Sequence, residues 1–589
     1  MNLFDILYKA AFALGGLSLL VFLSGHAGFL STGAVLLLSA TALVAFVFFA
    51  RKNLKDAFDA GRACVDAFRR EPFSKQEILL FLLAVSFMLA VIPLALTPPI
   101  ARDELIHHLA AAKLYVERGA IFEIAFMPFT YLPSAIDSLY LIPMAAGNDV
   151  IPKLIHLLFG FLSALTVYAY LKPRAGRPYA LLGFLIFFST PAILNASRTA
   201  YIDLGVTFFS TLALFGALLW RETNGRKWFY YSAISMGLAL SSKYNAAISL
   251  FLVAAFIAWT TSREKGGQIE AVRNAAIYVL IALAVFSPLL IRNYIWTGNP
   301  FHPVFDIMGG SLHTGGALSP VDRRYLFYGE GTIDVILIPL RIFFEGTDGS
   351  IEKFDGVLNP LLLLFILVAF LKRGLKDFWP LAGFAALFFY MAFFTAELVI
   401  RYVFPILPPL AVLAAFGVKN SFEFKKTKTV AVVLLAAFFL FNVYYLKGLY
   451  DKYRPIAYVT GKESAEEYLS RTLPDYSVIN FANKTLPPSA KVELIFAGDR
   501  GYYWERPYYY GGRAGDSLIA AVKSAKSGQE LKDSFSGRGI THIFVRDALL
   551  IKFAGDNFDA DKMKVLSDFT GNNLVFLNSA NGFSLYGIR

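Results

Sequence analysis

Apolar runs of about bilayer-crossing length return again and again along this chain, and basic connections follow every second one. A spanning helix needs roughly 20 mainly apolar residues, and within lipid its backbone must satisfy its own polar groups. About thirteen runs are candidates, within a range of eleven to fourteen, several of them short enough to start or end inside protein. They lie near 6–24, 32–50, 77–97, 152–171, 178–194, 203–220, 228–241, 245–260, 275–291, 358–371, 380–396, 403–418 and 429–447. Composition agrees: 57% of the 589 residues are hydrophobic and 17% charged, against about 25% charged in soluble domains. The expectation is an α-helical polytopic membrane protein.

Lysine and arginine in short connections report orientation. They cluster after the second, fourth, sixth, eighth, tenth and twelfth runs, for example at Arg174 and Arg177, Arg221 and Arg226, and Lys425 and Lys426. This pattern predicts a cytoplasmic N-terminus. The net charge of +12 is then mostly anchoring charge, and no basic-aromatic groove suggests nucleic acid. The first run has no small-residue cleavage pattern and reads as an anchor. The single cysteine, Cys64, excludes an intramolecular disulfide framework and a cysteine metal site.

Two external loops are long, 98–151 and 292–357. The first holds two amphipathic pieces, 104–118 and about 134–146, expected to lie along the membrane surface. The second is rich in Gly, Pro, Asp and Arg, and includes His313, Arg323, Arg324, Glu345, Asp348 and Asp355. After 448 the pattern changes to short helices (462–473, 516–525, 528–536, 559–568) alternating with strands (491–497, 541–546, 573–578, 583–588). A membrane domain at 1–447 and an extracytoplasmic α/β domain at 448–589 follow.

The stretch TPPIARDELIHHLAAAKLYVERG, residues 97–119, concentrates ionisable groups directly after an apolar run. Asp103 follows a Pro-Pro pair and begins a helical pattern, so it can be a helix N-cap, with Glu104 favoured by the dipole. The spacing allows more. Asp103 and His107, and Glu104 and His108, are each four apart and share a helix stripe. Carboxylate and imidazole together can move a proton or hold a divalent cation.

Asp203 opens a later run as either an N-cap or a second acidic group. Lys243, in SSKYNA, interrupts an apolar region, where a cation is costly and needs a partner or must snorkel to the surface. Arg292 follows Pro288 at a membrane edge. Arg401 is four residues from Glu397, so it can form an intrahelical pair, or its guanidinium can hold a phosphate.

The motifs RDELIHHLAAAKLYVERG, YLPSAIDSLYLIP, PKLIHLLFG, SRTAYIDLGVTFF, GLALSSKYNA, SPLLIRNYIWTGNPFHPVF and RYVFPILPPLAVLAA occur in this order over about residues 75–420. In order and spacing the chain resembles the polyprenyl-phosphate-sugar-dependent glycosyltransferases of the membrane C-type fold. The resemblance is greatest to the bacterial branch related to protein mannosyltransferases and the lipid A aminoarabinose transferase. His107 stands where that branch commonly has Tyr.

The resemblance implies an inverting sugar transfer on the extracytoplasmic face of a bacterial cytoplasmic membrane. The donor is a sugar on a polyprenyl phosphate, and the acceptor a lipid, glycan or protein. Asp103 occupies the catalytic position, with Glu104 and His108 beside it. Lys243, Tyr244, Arg292, Arg401 and Tyr402 are expected to bind the donor phosphate, with Asp203 nearby. No cofactor is required by the sequence, although Asp103 and His108 could hold a divalent metal. A monomer in contact with membrane lipid is expected. Whole-oligosaccharide transfer and transport of a lipid-linked sugar are the alternatives. The second fits less well, because the chain shows no clear internal repeat and its ionisable groups gather at membrane edges.

Overall fold

The computed structural model describes residues 3–31, 33, 73–304, 319–371, 375–395, 398–423, 425–510 and 516–589. The run expected at 32–50 lies outside the described residues except for residue 33, as do Cys64, His313 and Glu397. The chain forms two compact units, Met1–Leu96 with Leu132–Pro455, and Thr97–Tyr131 with Ile456–Arg589.

The first unit is a helical membrane bundle. Among the described residues eight helices are long and apolar enough to span: Leu3–His26, Lys75–Ala95, Ile151–Ala175, Asp203–Thr223, Ala246–Glu264, Gln268–Thr297, Ile400–Ser421 and Lys425–Tyr453. Shorter apolar helices, including Arg177–Phe188, Leu361–Phe370 and Phe378–Phe393, fill three more expected runs. The run at 178–194 breaks before Pro191, which starts a separate helix, Pro191–Ala196. A residue preceding proline is disfavoured in the α conformation.

Asp203–Thr223 is the central helix. The whole of its most apolar stretch is buried, against 22% for Gln268–Thr297 and 28% for Lys75–Ala95. Two glycines allow this packing. A Cβ at Gly205 would meet Ile136 Cδ1 at 2.2 Å, and one at Gly216 would meet the Tyr8 hydroxyl at 2.3 Å.

One end of the bundle is laced with ion pairs between helix termini: Asp5–Lys227, Glu77–Arg177, Arg174–Glu222, Arg174–Asp377 and Arg221–Glu264. Several of the basic residues that mark the short connections are therefore also cross-links. Ser74 and Glu77 form a reciprocal capping box at the start of Lys75–Ala95.

The second unit carries a five-stranded sheet in the order β2-β1-β3-β5-β4. The strands are β1 Val492–Ile495, β2 Tyr508–Tyr509, β3 His542–Arg546, β4 Leu574–Ala580 and β5 Phe583–Ile588. β1 pairs in parallel with β2 and β3, while β5 pairs antiparallel with β3 and β4. Helices Asp516–Ser524, Gly528–Gly537 and Ala560–Asp568 cover the core of Val522, Leu531, Phe535, Ile543 and Phe569. Helices Tyr476–Thr485 and Asp547–Asn557 and the two-residue β2 are additions to the expected pattern.

Two placements differ from the sequence reading. The C-terminal boundary falls at 455/456 rather than 447/448, because the helix of the last apolar run continues to Tyr453. Residues 97–131, expected with the membrane domain, group with the C-terminal unit. There, Leu105, Ile106, Leu109 and Ala112 are at most 3% exposed. This amphipathic piece therefore buries its apolar face in protein instead of presenting it to the membrane surface. The second piece, Ala135–Ala145, likewise buries Ile136, Leu139 and Tyr140 in the bundle.

Candidate functional site

In the membrane unit, helix order brings one anion and two cations together. Asp203 is the first residue of the central helix. The chain turns at Asn224 and Gly225, runs back through Arg226–Ser242, and ends that helix at Lys243, level with where it began. Arg401 lies in the tight 3₁₀ segment Ile400–Ile406, which leads into Leu407–Ser421.

Lys243 Nζ donates to Asp203 Oδ1 at 2.5 Å, and Arg401 Nη1 lies 3.9 Å from Asp203 Oδ2. Aromatic rings wall the cluster. Lys243 Nζ stands 4.2 Å from the Tyr402 ring centroid, and the Arg401 guanidinium 4.9 Å from that of Tyr201. Asn245 Nδ2 donates to the Tyr402 carbonyl at 3.1 Å, tying the turn after Lys243 to the Arg401 segment. The Asp203 side chain is 2% exposed, whereas those of Lys243 and Arg401 are 21% and 20% exposed. The carboxylate forms the floor and the cations remain reachable.

Asp203 is not the N-cap of its helix; that position is Ile202. Lys243 does not snorkel, since Asp203 is its partner. His156, left unassigned in PKLIHLLFG, fixes the approach to Asp203. Its Nδ1 contacts the Ala196 and Thr199 carbonyls at 3.0 and 2.9 Å, and its Nε2 accepts from the Leu204 N–H at 3.0 Å. Carbonyls only accept and an N–H only donates, so the ring is the neutral Nδ1–H tautomer. A histidine inside an apolar run was the available signal for it.

Tyr244 and Arg292 join a neighbouring network. Asn293 Nδ2 donates to the Tyr244 hydroxyl at 3.2 Å and to the His302 carbonyl at 3.1 Å. The Arg292 fork spans the Leu132 carbonyl, Ser134 Oγ and Asn293 Oδ1 at 2.8–3.1 Å. That guanidinium therefore braces the segment at Leu132 and Ser134. The charged residues of 319–355 also have protein partners. Arg324 and Arg341 both hold Glu330, and Asp348 accepts from Asn195 and Tyr445.

Asp103, Glu104 and His108 belong to the second unit. Glu104 Oε2 accepts the N–H groups of Ile100 and Ala101 at 3.1 and 2.7 Å and is 1% exposed. The helix starts with a π turn, Glu104–His108, and continues as Leu109–Arg118, ending on Gly119 at φ 75°. Asp103 occupies the cap position, but its side chain makes no capping hydrogen bond, and it is half-buried. His108 is buried, and His107 stacks on Phe129 with centroids 4.7 Å apart. Among the described residues no three His, Cys, Asp or Glu side chains come together as a metal site.

Residues 146–292 match the family described as dolichyl-phosphate-mannose-protein mannosyltransferase. That segment contains Asp203, Lys243 and Arg292. A comparison with curated proteins gives no match. Among solved structures, ArnT from Cupriavidus metallidurans bound to undecaprenyl phosphate aligns with a TM-score of 0.53 at 14% identity, over 87% of this chain and 97% of that one. Its apo form aligns at 0.50 and 13% identity, over 86% and 97%. An Archaeoglobus fulgidus oligosaccharyltransferase tethered to an acceptor peptide aligns at 0.50 and 12% identity, over 87% of this chain and 74% of that one. At these identities the likeness is one of architecture: the chain shares the membrane fold of these structures.

Proposed function

We propose that this membrane glycosyltransferase moves a sugar from a polyprenyl-phosphate carrier to an acceptor hydroxyl or amine on the extracytoplasmic face of a bacterial cytoplasmic membrane. The observation that carries the reading is the Asp203–Lys243–Arg401 cluster. Two cations and one carboxylate leave a net charge of +1. A sugar phosphodiester carries one negative charge, whereas a diphosphate-linked donor carries about two and calls for more cationic contacts. The balance therefore favours a monophosphate carrier over the donor of a whole-oligosaccharide transferase.

In this mechanism Lys243 and Arg401 bind the phosphate, with Tyr402 lining it, and stabilise the charge that grows as the glycosidic oxygen leaves. Asp203 holds both cations in place. Asp103 takes the proton of the acceptor as it attacks the anomeric carbon from the opposite side, inverting it. His108 follows Asp103 by five residues, and a divalent cation at Asp103 and His108 is tested by chelator titration: loss of transfer that added metal restores would assign one.

Purified protein in liposomes, supplied with labelled monophosphate- and diphosphate-linked sugars, tests the reading. Transfer from the monophosphate donor, reduced at least about 100-fold in Asp103→Asn, is expected. A folded Asp103→Asn protein working at the normal rate would refute the base assignment. Exclusive use of diphosphate donors would refute the carrier assignment.

A further inference from the structure

Resting on the reading of Asp103 as the base, we propose that residues 499–504 are a positioning clamp that sets where the Asp103 carboxylate stands. This segment leaves the C-terminal end of β1, about 400 residues further along the chain. It grips the Asp103 segment on both sides. Upstream, the Tyr503 hydroxyl donates to the Pro99 carbonyl at 2.7 Å. Downstream, the N–H groups of Gly501 and Tyr502 converge on the Leu105 carbonyl at 3.0 and 3.1 Å. Farther along the same helix, Lys113 Nζ donates to the Tyr502 and Trp504 carbonyls at 3.1 and 2.8 Å. Asp499 also interacts electrostatically with Arg102, the neighbour of Asp103.

The clamp is built with local features that only a fixed shape explains. Phe496 and Asp499 hold φ values of 53° and 59°, which non-glycine residues seldom adopt. A Cβ on Gly501 would come within 2.1 Å of the Tyr508 ring, so the loop lies flat against that ring. Tyr508 is in turn held by Phe126, from the same 97–131 segment, with centroids 5.8 Å apart. With Glu104 bracing Ile100 and Ala101 from within, the backbone on both sides of Asp103 is fixed at Pro99 and Leu105. A base misplaced by about 1 Å can lose about 100-fold in rate, so the Tyr503 hydroxyl and the Gly501 and Tyr502 N–H groups that hold these two points act on catalysis without touching substrate.

The test is a double-mutant cycle on the full-length protein in liposomes. Tyr503→Phe should lower kcat about tenfold and leave the donor KM unchanged. In an Asp103→Asn background the same substitution should change the residual rate less than about twofold, because the group it positions is gone. Lys113→Met should show the same pattern, and both should speed amide exchange at 100–108. A normal kcat in both variants beside an impaired Asp103→Asn overturns the clamp alone. An equal loss in both backgrounds also overturns it, by showing a general structural effect. A normal rate in Asp103→Asn overturns the base assignment and the clamp with it.

Discussion

Neighbouring carboxylates at 103 and 104 differ in what their oxygens do. Glu104 accepts two backbone N–H groups, whereas Asp103 sits at the cap position without a side-chain capping hydrogen bond. Glu104→Gln keeps one carbonyl acceptor and loses the charge. It should cost stability of about 1–3 kcal/mol, seen as a lower denaturation midpoint, and lower kcat no more than Tyr503→Phe does. A large kcat loss at unchanged stability would instead make Glu104 part of the chemistry. Lys243 poses the converse case. Lys243→Met leaves Asp203 buried with only Arg401 at 3.9 Å. Stability should fall by about 3–5 kcal/mol and the donor KM should rise, while Lys243→Arg should recover part of both. Equal donor KM values for wild type and Lys243→Met would remove Lys243 from the phosphate site.

At the scale of elements, the second long loop holds its shape through one shared carboxylate. Burial raises the pKa of Glu330, but hydrogen bonds from Arg324 and Arg341 outweigh it, and the net direction is down. The folded pKa lies below the unfolded value of about 4.3. Its contribution to stability is therefore fully present above that pH and is lost as pH falls through the lower, folded value. Amide exchange at 320–345, corrected for intrinsic rates, should be faster in Glu330→Gln than in wild type at pH 6. The two should converge in strongly acidic buffer. A gap that widens on acidification would reverse the assigned sign. The capping box of Lys75–Ala95 gives a simpler case. Ser74→Ala removes a reciprocal hydrogen bond and should cost about 1 kcal/mol, read as a shift in thermal midpoint.

For the whole molecule, the ion-paired helix termini and the Asp203 cluster lie at opposite ends of the same helices: Asp203 opens the helix that Arg221 and Glu222 close. Orientation is then a single binary question. Membrane-impermeant maleimide applied to intact spheroplasts should label Gly571→Cys and spare Lys172→Cys, both exposed positions. The reverse labelling would invert the topology and move the proposed chemistry to the cytoplasm. Much of this architecture was legible in the amino-acid order. Apolar length alone identifies spanning helices, because lipid offers the backbone no other partner, and alternation of helix and strand patterns identifies the C-terminal α/β fold. Asp203, Lys243 and Arg401 stood out singly, because charge within apolar sequence is costly wherever it occurs. That these three meet, that His156 orders the turn before Asp203, that Arg292 braces a loop, and that residues 97–131 pack with the distant segment at 499–504 could not be read along the chain. Periodicity records which face of an element is apolar, but not which remote surface will cover it. Only the folded chain pairs those faces, since the free energy of burial depends on the shape of both partners at once.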